Sequence, residues 1–166
     1  MNGVYELANN PEWIEILSVW AYEEWHKKNG YSYKVVKHDY SLRSSSLLFP
    51  KCFVYVLKSV PVGMVTVKKR DLLTMKEKGP WLSALYVDKK NRCSGIGSIL
   101  LDYAANYIKK KGFPELFLFT EYDNKDYLTK FYTKRGWRVY CSTVDSFDRY
   151  VNVLKLNLKC RTRKSV

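Results

Sequence analysis

Apolar and polar positions follow two different periods along the chain, and the changes of period mark out its elements. Ile14, Leu17, Ala21 and Trp25 recur at helical spacing, with Trp13 and Trp20 widening the stripe, which predicts an amphipathic helix over residues 11–27. Asn10, Pro11 and Glu12 mark its start: a capping side chain, a proline where no donor is lost, and an acid at the positive end of the dipole. Asn29 and Gly30 end it. A short second helix is expected over residues 39–48, with the serines at 44, 45 and 46 counting against it. Residues 52–58 and 62–69 are rich in β-branched and aromatic side chains and are separated by Ser59-Val60-Pro61, the pattern of an antiparallel hairpin. Residues 71–80 read as a polar loop.

The second half alternates strand and helix. Trp81–Val87 reads as a strand, followed by the basic run Asp88-Lys89-Lys90-Asn91 and then two glycines, Gly95 and Gly97. Ile96, Leu100, Tyr103 and Tyr107 then set a helical stripe, closed by Lys109, Lys110 and Lys111 at the negative end of the dipole and stopped by Gly112 and Pro114. Glu115–Glu121 is a short apolar strand. A helix is expected over residues 126–134, stopping at Gly136, and two strands over residues 137–142 and 150–158 flank a turn at residues 145–148. This order predicts a mixed sheet with helices on its faces, an α/β (mixed α+β) domain over residues 1–158 with a basic tail at 159–166.

Composition narrows the class. The chain has 166 residues, of which 46% are apolar and 27% charged, enough for one hydrophobic core and unlike a disordered or fibrous sequence. No apolar run approaches the ~20 residues that span a bilayer. Glu6, Glu12 and Glu15 stand where a secretion signal would be basic and then apolar, so no leader is expected. Cys52, Cys93, Cys141 and Cys160 lack the paired spacing of a zinc or redox motif, and reduced thiols in a cytoplasmic compartment are expected, with no metal. Lysine and arginine number 29 against 16 acids, a net charge of +13. A field of that sign speeds encounter with any anion without choosing among them, and a lysine-rich surface also serves solubility alone.

A strand, a basic glycine-containing loop and a helix together suit a phosphate, because glycine lets backbone amides approach an anion and the helix start offers unpaired N–H groups. The spacing is not that of a Walker loop, since no Gly-Lys-Ser/Thr follows, nor of the dinucleotide fingerprint, whose third glycine is replaced by Leu100. What stands here is R-x-x-G-x-G, as Arg92-Cys93-Ser94-Gly95-Ile96-Gly97, after the strand segment Leu82-Ser83-Ala84-Leu85-Tyr86-Val87. This resembles the acyl-CoA signature of the GNAT N-acetyltransferases. The similarity continues in Phe131-Tyr132-Thr133-Lys134-Arg135-Gly136-Trp137, which looks like that family's F-Y-x-x-x-G-F/W segment, and in Gly79-Pro80-Trp81-Leu82. It covers residues 52–158.

The resemblance implies a twisted, mostly antiparallel mixed sheet whose fourth and fifth strands splay apart to admit acetyl-CoA. By the same resemblance, Leu85, Tyr86 and Val87 hold the thioester and pantetheine arm through the backbone. Amides of Arg92, Cys93, Ser94, Gly95, Ile96, Gly97 and Ser98 wrap the pyrophosphate, with Lys89 and Lys90 facing outer phosphates and Asn124 meeting the pantetheine. Tyr132 is the implied general acid that returns a proton to the departing thiolate. A general base is needed as well, and Glu121 is the first choice ahead of Asp123, Asp126, Glu23 and Glu24. Tyr22, Trp25, Tyr31, Tyr33 and Tyr40 stand in the segment that, in the family, closes over the acceptor. His26, His38 and Cys93 are given no catalytic part.

The resulting expectation is direct acetyl transfer from acetyl-CoA to a primary amine, by a monomer or homodimer without a metal or membrane. The amine is carried by a small molecule or by an acidic peptide, to which the net charge and a similarity of residues 118–137 to acetyltransferases of acidic protein N-termini both lean. Two readings from other classes stand beside it. One is a basic nucleic-acid-binding module in which the 14 tyrosines stack on bases, which leaves both motifs as coincidences. The other is an acyl-CoA-binding regulator without turnover, against which the intact Tyr132 argues.

Overall fold

The computed structural model describes residues 1–45, 47–122 and 127–159. Its sheet is mixed, with seven strands in the order β1-β2-β3-β4-β5-β7-β6. The chain groups into two compact units, Met1–Lys69 with Leu82–Ala104, and Arg70–Trp81 with Ala105–Val166.

In the first unit, β1 (Gly3–Glu6) pairs antiparallel with β2 (Lys51–Leu57), which pairs antiparallel with β3 (Val60–Lys68). Strand β1 was not foreseen from the sequence, because four half-buried residues at a sheet edge give too short an alternation to read. The expected hairpin forms, but its turn is Lys58-Ser59 rather than Ser59-Val60-Pro61. Both turn residues have positive φ, 50° and 65°, and Leu57 pairs directly with Val60. A two-residue turn with both centres left-handed matches the twist of paired strands and lets β3 start earlier than the proline suggested.

The first helix is segmented rather than one α-helix over residues 11–27. A 3-10 turn at Pro11–Trp13 leads into α1 (Ile14–Ala21), then a π-helical turn at Tyr22–His26, a 3-10 turn at Lys27–Asn29 and a left-handed Gly30 with φ 76°. Asn10 does not cap with its side chain, whose Nδ2 turns back to donate to Glu6 O at 3.0 Å. Helix α2 spans Tyr33–Arg43 rather than residues 39–48: Ser32 Oγ accepts from Val35 N at 3.4 Å and fixes the start, and the serines follow the end. Leu7, Leu17, Ala21, Val36, Tyr40, Cys52, Val54, Val56 and Met64 close the core of this unit together with Tyr86. Arg43 is buried within it, ion-paired to Asp39, with its guanidinium 4.2 Å from the centre of the Tyr40 ring and Nη1 donating to Thr66 Oγ1 at 3.4 Å.

Strand β4 (Trp81–Val87) and helix α3 (Ile96–Lys110) match the expected spans. The buried stripe of α3 is Ile96, Leu100, Leu101, Ala104 and Ile108, whereas Tyr103 is 39% exposed and rests edge-on against Phe53 at 5.0 Å. The tyrosines therefore flank the stripe instead of forming it. At Gly63 in β3 an added Cβ would lie 3.0 Å from Tyr86 O, 3.1 Å from Leu100 Cδ1 and 3.2 Å from Ile96 Cγ2, so the absence of a side chain lets β3 pass close to both β4 and α3.

In the second unit, Trp81 at the start of β4 pairs in parallel with Phe117 of β5 (Glu115–Glu121). Strand β7 (Tyr150–Asn157) lies antiparallel to β5 and to β6 (Arg138–Val144), with a bulge between Val139 and Cys141. Leu72, Trp81, Phe117, Val151 and Val153 form its core. The segment expected as a polar loop thus supplies a buried leucine and carries a 3-10 turn at Leu73–Met75. Helix α4 covers Tyr127–Thr133. No helix among the described residues is long and apolar enough to cross a membrane.

Candidate active site

The turn from β4 into α3 is built by its own side chains. Ala84 takes φ 50° within β4, and Leu85, Tyr86 and Val87 complete the strand. Asp88 then reverses the chain: its N–H donates to Val62 O at 2.9 Å, and its Oδ2 accepts from Lys90 N at 3.3 Å and from Asn91 Nδ2 at 3.0 Å, capping a 3-10 turn at Lys89–Asn91. Cys93 and Gly95 both adopt positive φ, 61° and 84°. Ser94 Oγ donates to Asn91 O at 2.5 Å. The first amides to find a carbonyl in α3 are those of Ser98 and Ile99, which both donate to Gly95 O, at 3.0 and 3.1 Å. A helix start leaves the amides ahead of these, here Ile96 and Gly97, without an intrahelical acceptor.

Residues from Arg92 to Gly95 are exposed, and a Cβ on Gly95 would meet nothing within 4 Å. Glycine is required there by the left-handed backbone, and the space above it is open. Alternating left- and right-handed residues that lead open amides into a helix N-terminus make an anion-binding concavity, so the residues fit a pyrophosphate. The ten residues from Leu85 to Ser98 assigned to the coenzyme from the motif, Asn124 aside, thus lie on one continuous strand, turn and helix start. Asn124 lies outside the described residues, as do Asp123 and Asp126.

Arg92 is held by its surroundings. Its Nε donates to Val87 O at 3.0 Å, its guanidinium lies 5.6 Å from the centre of the Tyr86 ring, and its Nη2 is 3.7 Å from Glu24 Oε2. Tyr86 in turn meets Trp20 at 5.1 Å and Trp25 edge-on at 6.2 Å. Residues five apart in an α-helix point about 140° away from each other. The π-helical turn at Tyr22–His26 narrows that offset, and Trp20 and Trp25 meet the same ring. Burial comes first among the causes that raise the pKa of Tyr86, with Asp88 and Glu24 adding to it.

In the second unit, Tyr132 is almost fully buried, its ring edge-on to Phe131 at 5.1 Å and to Trp137 at 6.0 Å. Burial pushes its phenol up to about 12, so it carries its proton throughout the neutral range. Glu121, at the end of β5, is ion-paired with Arg149 Nη1 at 2.8 Å. Arg149 also grips buried Asp145, with Nε at 2.8 Å and Nη2 at 2.5 Å from Oδ2, while Asp145 Oδ1 accepts from Phe147 N and Arg149 N. Arginine hydrogen bonds and the two amides outweigh the opposing effect of burial and lower the Asp145 carboxyl. Sequence reasoning missed Arg149, which carries no motif.

The other base candidates have partners: Glu23 pairs with Lys27 at 3.1 Å and Glu24 with Arg92. Of the aromatic segment expected over the acceptor, Tyr40 is a core residue whose hydroxyl donates to Met64 Sδ at 3.4 Å. Tyr33 donates to Glu15 Oε1 at 2.6 Å, and Tyr31 stands edge-on to His26 at 5.3 Å. Among the described cysteines, Cys52, Cys93 and Cys141 are free thiols, and no group of three potential metal-ligating His, Cys, Asp or Glu side chains occurs among the described residues.

The chain belongs to the acetyltransferase (GNAT) family, whose model matches residues 10–137. No curated protein sequence matches it. Among solved structures it is similar to an aminoglycoside 6'-N-acetyltransferase complexed with coenzyme A, at 16% identity and a TM-score of 0.78 over 96% of this chain and 98% of that one. It is similar to Ard1 from Thermoplasma volcanium at 18% identity and a TM-score of 0.72, over 96% and 99% of the two chains. A Bacillus anthracis chain in complex with acetyl coenzyme A matches at 21% identity and a TM-score of 0.58, over 68% of this chain and 64% of that one. At such identities the likeness is one of fold. Membership of that family makes the protein an N-acetyltransferase.

Proposed function

We propose that the protein transfers an acetyl group from acetyl-CoA directly to a primary amine. The observation that carries the reading is the loop in which Cys93 and Gly95 turn left-handed and deliver open amides to the start of α3. Bound acetyl-CoA supplies a thioester activated toward an amine. The backbone at Leu85, Tyr86 and Val87 holds its arm, and the amides from Arg92 to Gly97 hold its pyrophosphate, with Lys89 and Lys90 adding positive charge; the Ser98 amide, expected among them, is taken up by Gly95 O. Tyr132 keeps its proton at neutral pH and gives it to the departing thiolate, the role of a general acid, while the attacking amine sheds its proton to water, from which Tyr132 is reprotonated. No covalent acyl-enzyme is required, because the amine is itself the nucleophile.

The acceptor is the amine of a small molecule or of a peptide. Similarity to a structure described as an aminoglycoside acetyltransferase puts aminoglycosides in the set to be tried, and the net charge of +13 favours acidic peptides at long range. Three free thiols suit a reducing, cytoplasmic compartment.

The test pairs the thermal midpoint, with and without acetyl-CoA, with a thiol-release screen over simple amines, aminoglycosides and short peptides. A saturable rise in midpoint and release with one acceptor class support the reading. A rise without release from any amine would make the protein a coenzyme-binding module instead.

A further inference from the structure

We infer that Glu24 is a positioning residue for the coenzyme cradle, setting acetyl-CoA affinity through Arg92 without touching the coenzyme; this rests on the assignment of residues 92–98 as that cradle. The contacts form one chain within the first unit. Glu24 belongs to the π-helical turn, and its Oε2 stands 3.7 Å from Arg92 Nη2. Trp25 of the same turn, with Trp20, fixes the ring of Tyr86, over which the Arg92 guanidinium lies.

Arg92 is also bound to Val87 O through Nε, so both ends of the basic turn, residues 87 and 92, are tied by one side chain. A guanidinium is planar and directional: one N–H fork serves the strand carbonyl while another edge faces the carboxylate. Glu24 therefore decides which way the plane of Arg92 faces. With the carboxylate in place, the guanidinium is kept on the Tyr86 ring and on Val87 O, and the anion is left to the backbone amides. Without it, the guanidinium is free to leave Val87 O and the Tyr86 ring, and the turn that presents the amides loses its tie to the strand.

The reach is that of a partly exposed pair, with side-chain exposures of 46% and 38%, so the effect is modest and sensitive to salt. Acetyl-CoA dissociation constants measured by calorimetry on the full chain test it, for the wild type, Glu24→Gln, Glu24→Asp, Arg92→Met and Glu24→Gln with Arg92→Met. Glu24→Gln is expected to weaken binding about two- to fivefold. The KM for acetyl-CoA rises by the same factor, while kcat and the acceptor KM stay put. Aspartate, one methylene short of the guanidinium, behaves like glutamine, and in the Arg92→Met background Glu24→Gln adds nothing.

Additive losses in the double variant would overturn the inference, as would a shift in the acceptor KM in place of the coenzyme KM. Wild-type affinity in Glu24→Asp would reduce the contact to a distant charge and overturn it too. Gly97→Glu separates this failure from that of the cradle itself. Binding that survives Gly97→Glu removes the cradle and the inference together. Binding lost in Gly97→Glu but unchanged in Glu24→Gln removes the inference alone.

Discussion

The side chain of Arg92 reaches back five residues along its own chain, its Nε donating to Val87 O at 3.0 Å. That bond closes the turn that carries Asp88, Lys89 and Lys90, and it explains why the first position of R-x-x-G-x-G takes a long, forked side chain. Lysine cannot keep the strand hydrogen bond, the stack on Tyr86 and the approach to Glu24 at once. Arg92→Lys is expected to weaken acetyl-CoA about fivefold while leaving the thermal midpoint of the free protein unchanged, as titration calorimetry and a melting curve will show.

Tyr132→Phe keeps the buried ring and removes the phenolic proton. Turnover should fall about a hundredfold, with acetyl-CoA affinity nearly intact. Because burial pushes the phenol up to about 12, its ionisation contributes no loss of rate below about pH 10. A wild-type pH–rate profile measured to pH 10 checks this directly.

Glu121→Gln separates the two jobs open to that carboxylate. Its 2.8 Å pair with Arg149, which itself grips Asp145, makes it an anchor between the end of β5 and the turn before β7. The expected outcome is a thermal midpoint lowered by a degree or so, on the order of 0.5 kcal/mol, with kcat within threefold of wild type. A drop beyond a hundredfold, with loss of the acidic limb of the rate profile, would make Glu121 the base.

His26 gives a pH dependence of stability. Burial is the main cause of its lowered pKa, with Arg43 and Lys68 adding repulsion and Asp39 partly opposing them. A histidine that is harder to protonate folded than unfolded leaves stability complete above the unfolded pKa near 6.5 and erodes it as pH falls below that value, since the unfolded chain then binds more protons. Urea midpoints should therefore decline from pH 7.5 to pH 5.5, and His26→Gln should flatten that part of the decline.

Arg43 is a cation enclosed in the core of the first unit, and Asp39 is its ionic partner. Asp39→Asn removes the ionic partner of an enclosed charge and should cost about 1–3 kcal/mol in a denaturant titration. Arg43→Met together with Asp39→Asn should cost less than Asp39→Asn alone.

What could be read from the sequence was whatever repeats or punctuates. The strand at Trp81–Val87, the helix from Ile96 and the strand at Glu115–Glu121 were legible because apolar periodicity and flanking glycines bound them on both sides. The turn proposed as the coenzyme cradle stood out because its glycine spacing answers a backbone requirement, positive φ at Gly95. Strand β1 was too short to show a period. The π-helical turn was hidden because Ala21 and Trp25 keep ordinary i, i+4 spacing, and only the presence of Tyr86 on one side shows that Trp20 and Trp25 must converge. Helix α2 begins earlier than its pattern suggests because its cap, Ser32, stands alone, with no proline or acid in the first turn to mark the start. The Arg149 contacts with Glu121 and Asp145 depend on the β6–β7 turn and leave no local trace.

Gly63 lies some thirty residues before the cradle and belongs to none of its motifs, yet β3 meets Tyr86 O and the first turns of α3 there with no room for a methyl group. The height at which the open amides stand is therefore calibrated from beneath, by a missing side chain on another strand. Variation at position 63 would tune the grip on coenzyme like a shim under a hinge, changing affinity in a protein whose every coenzyme-facing residue is unaltered.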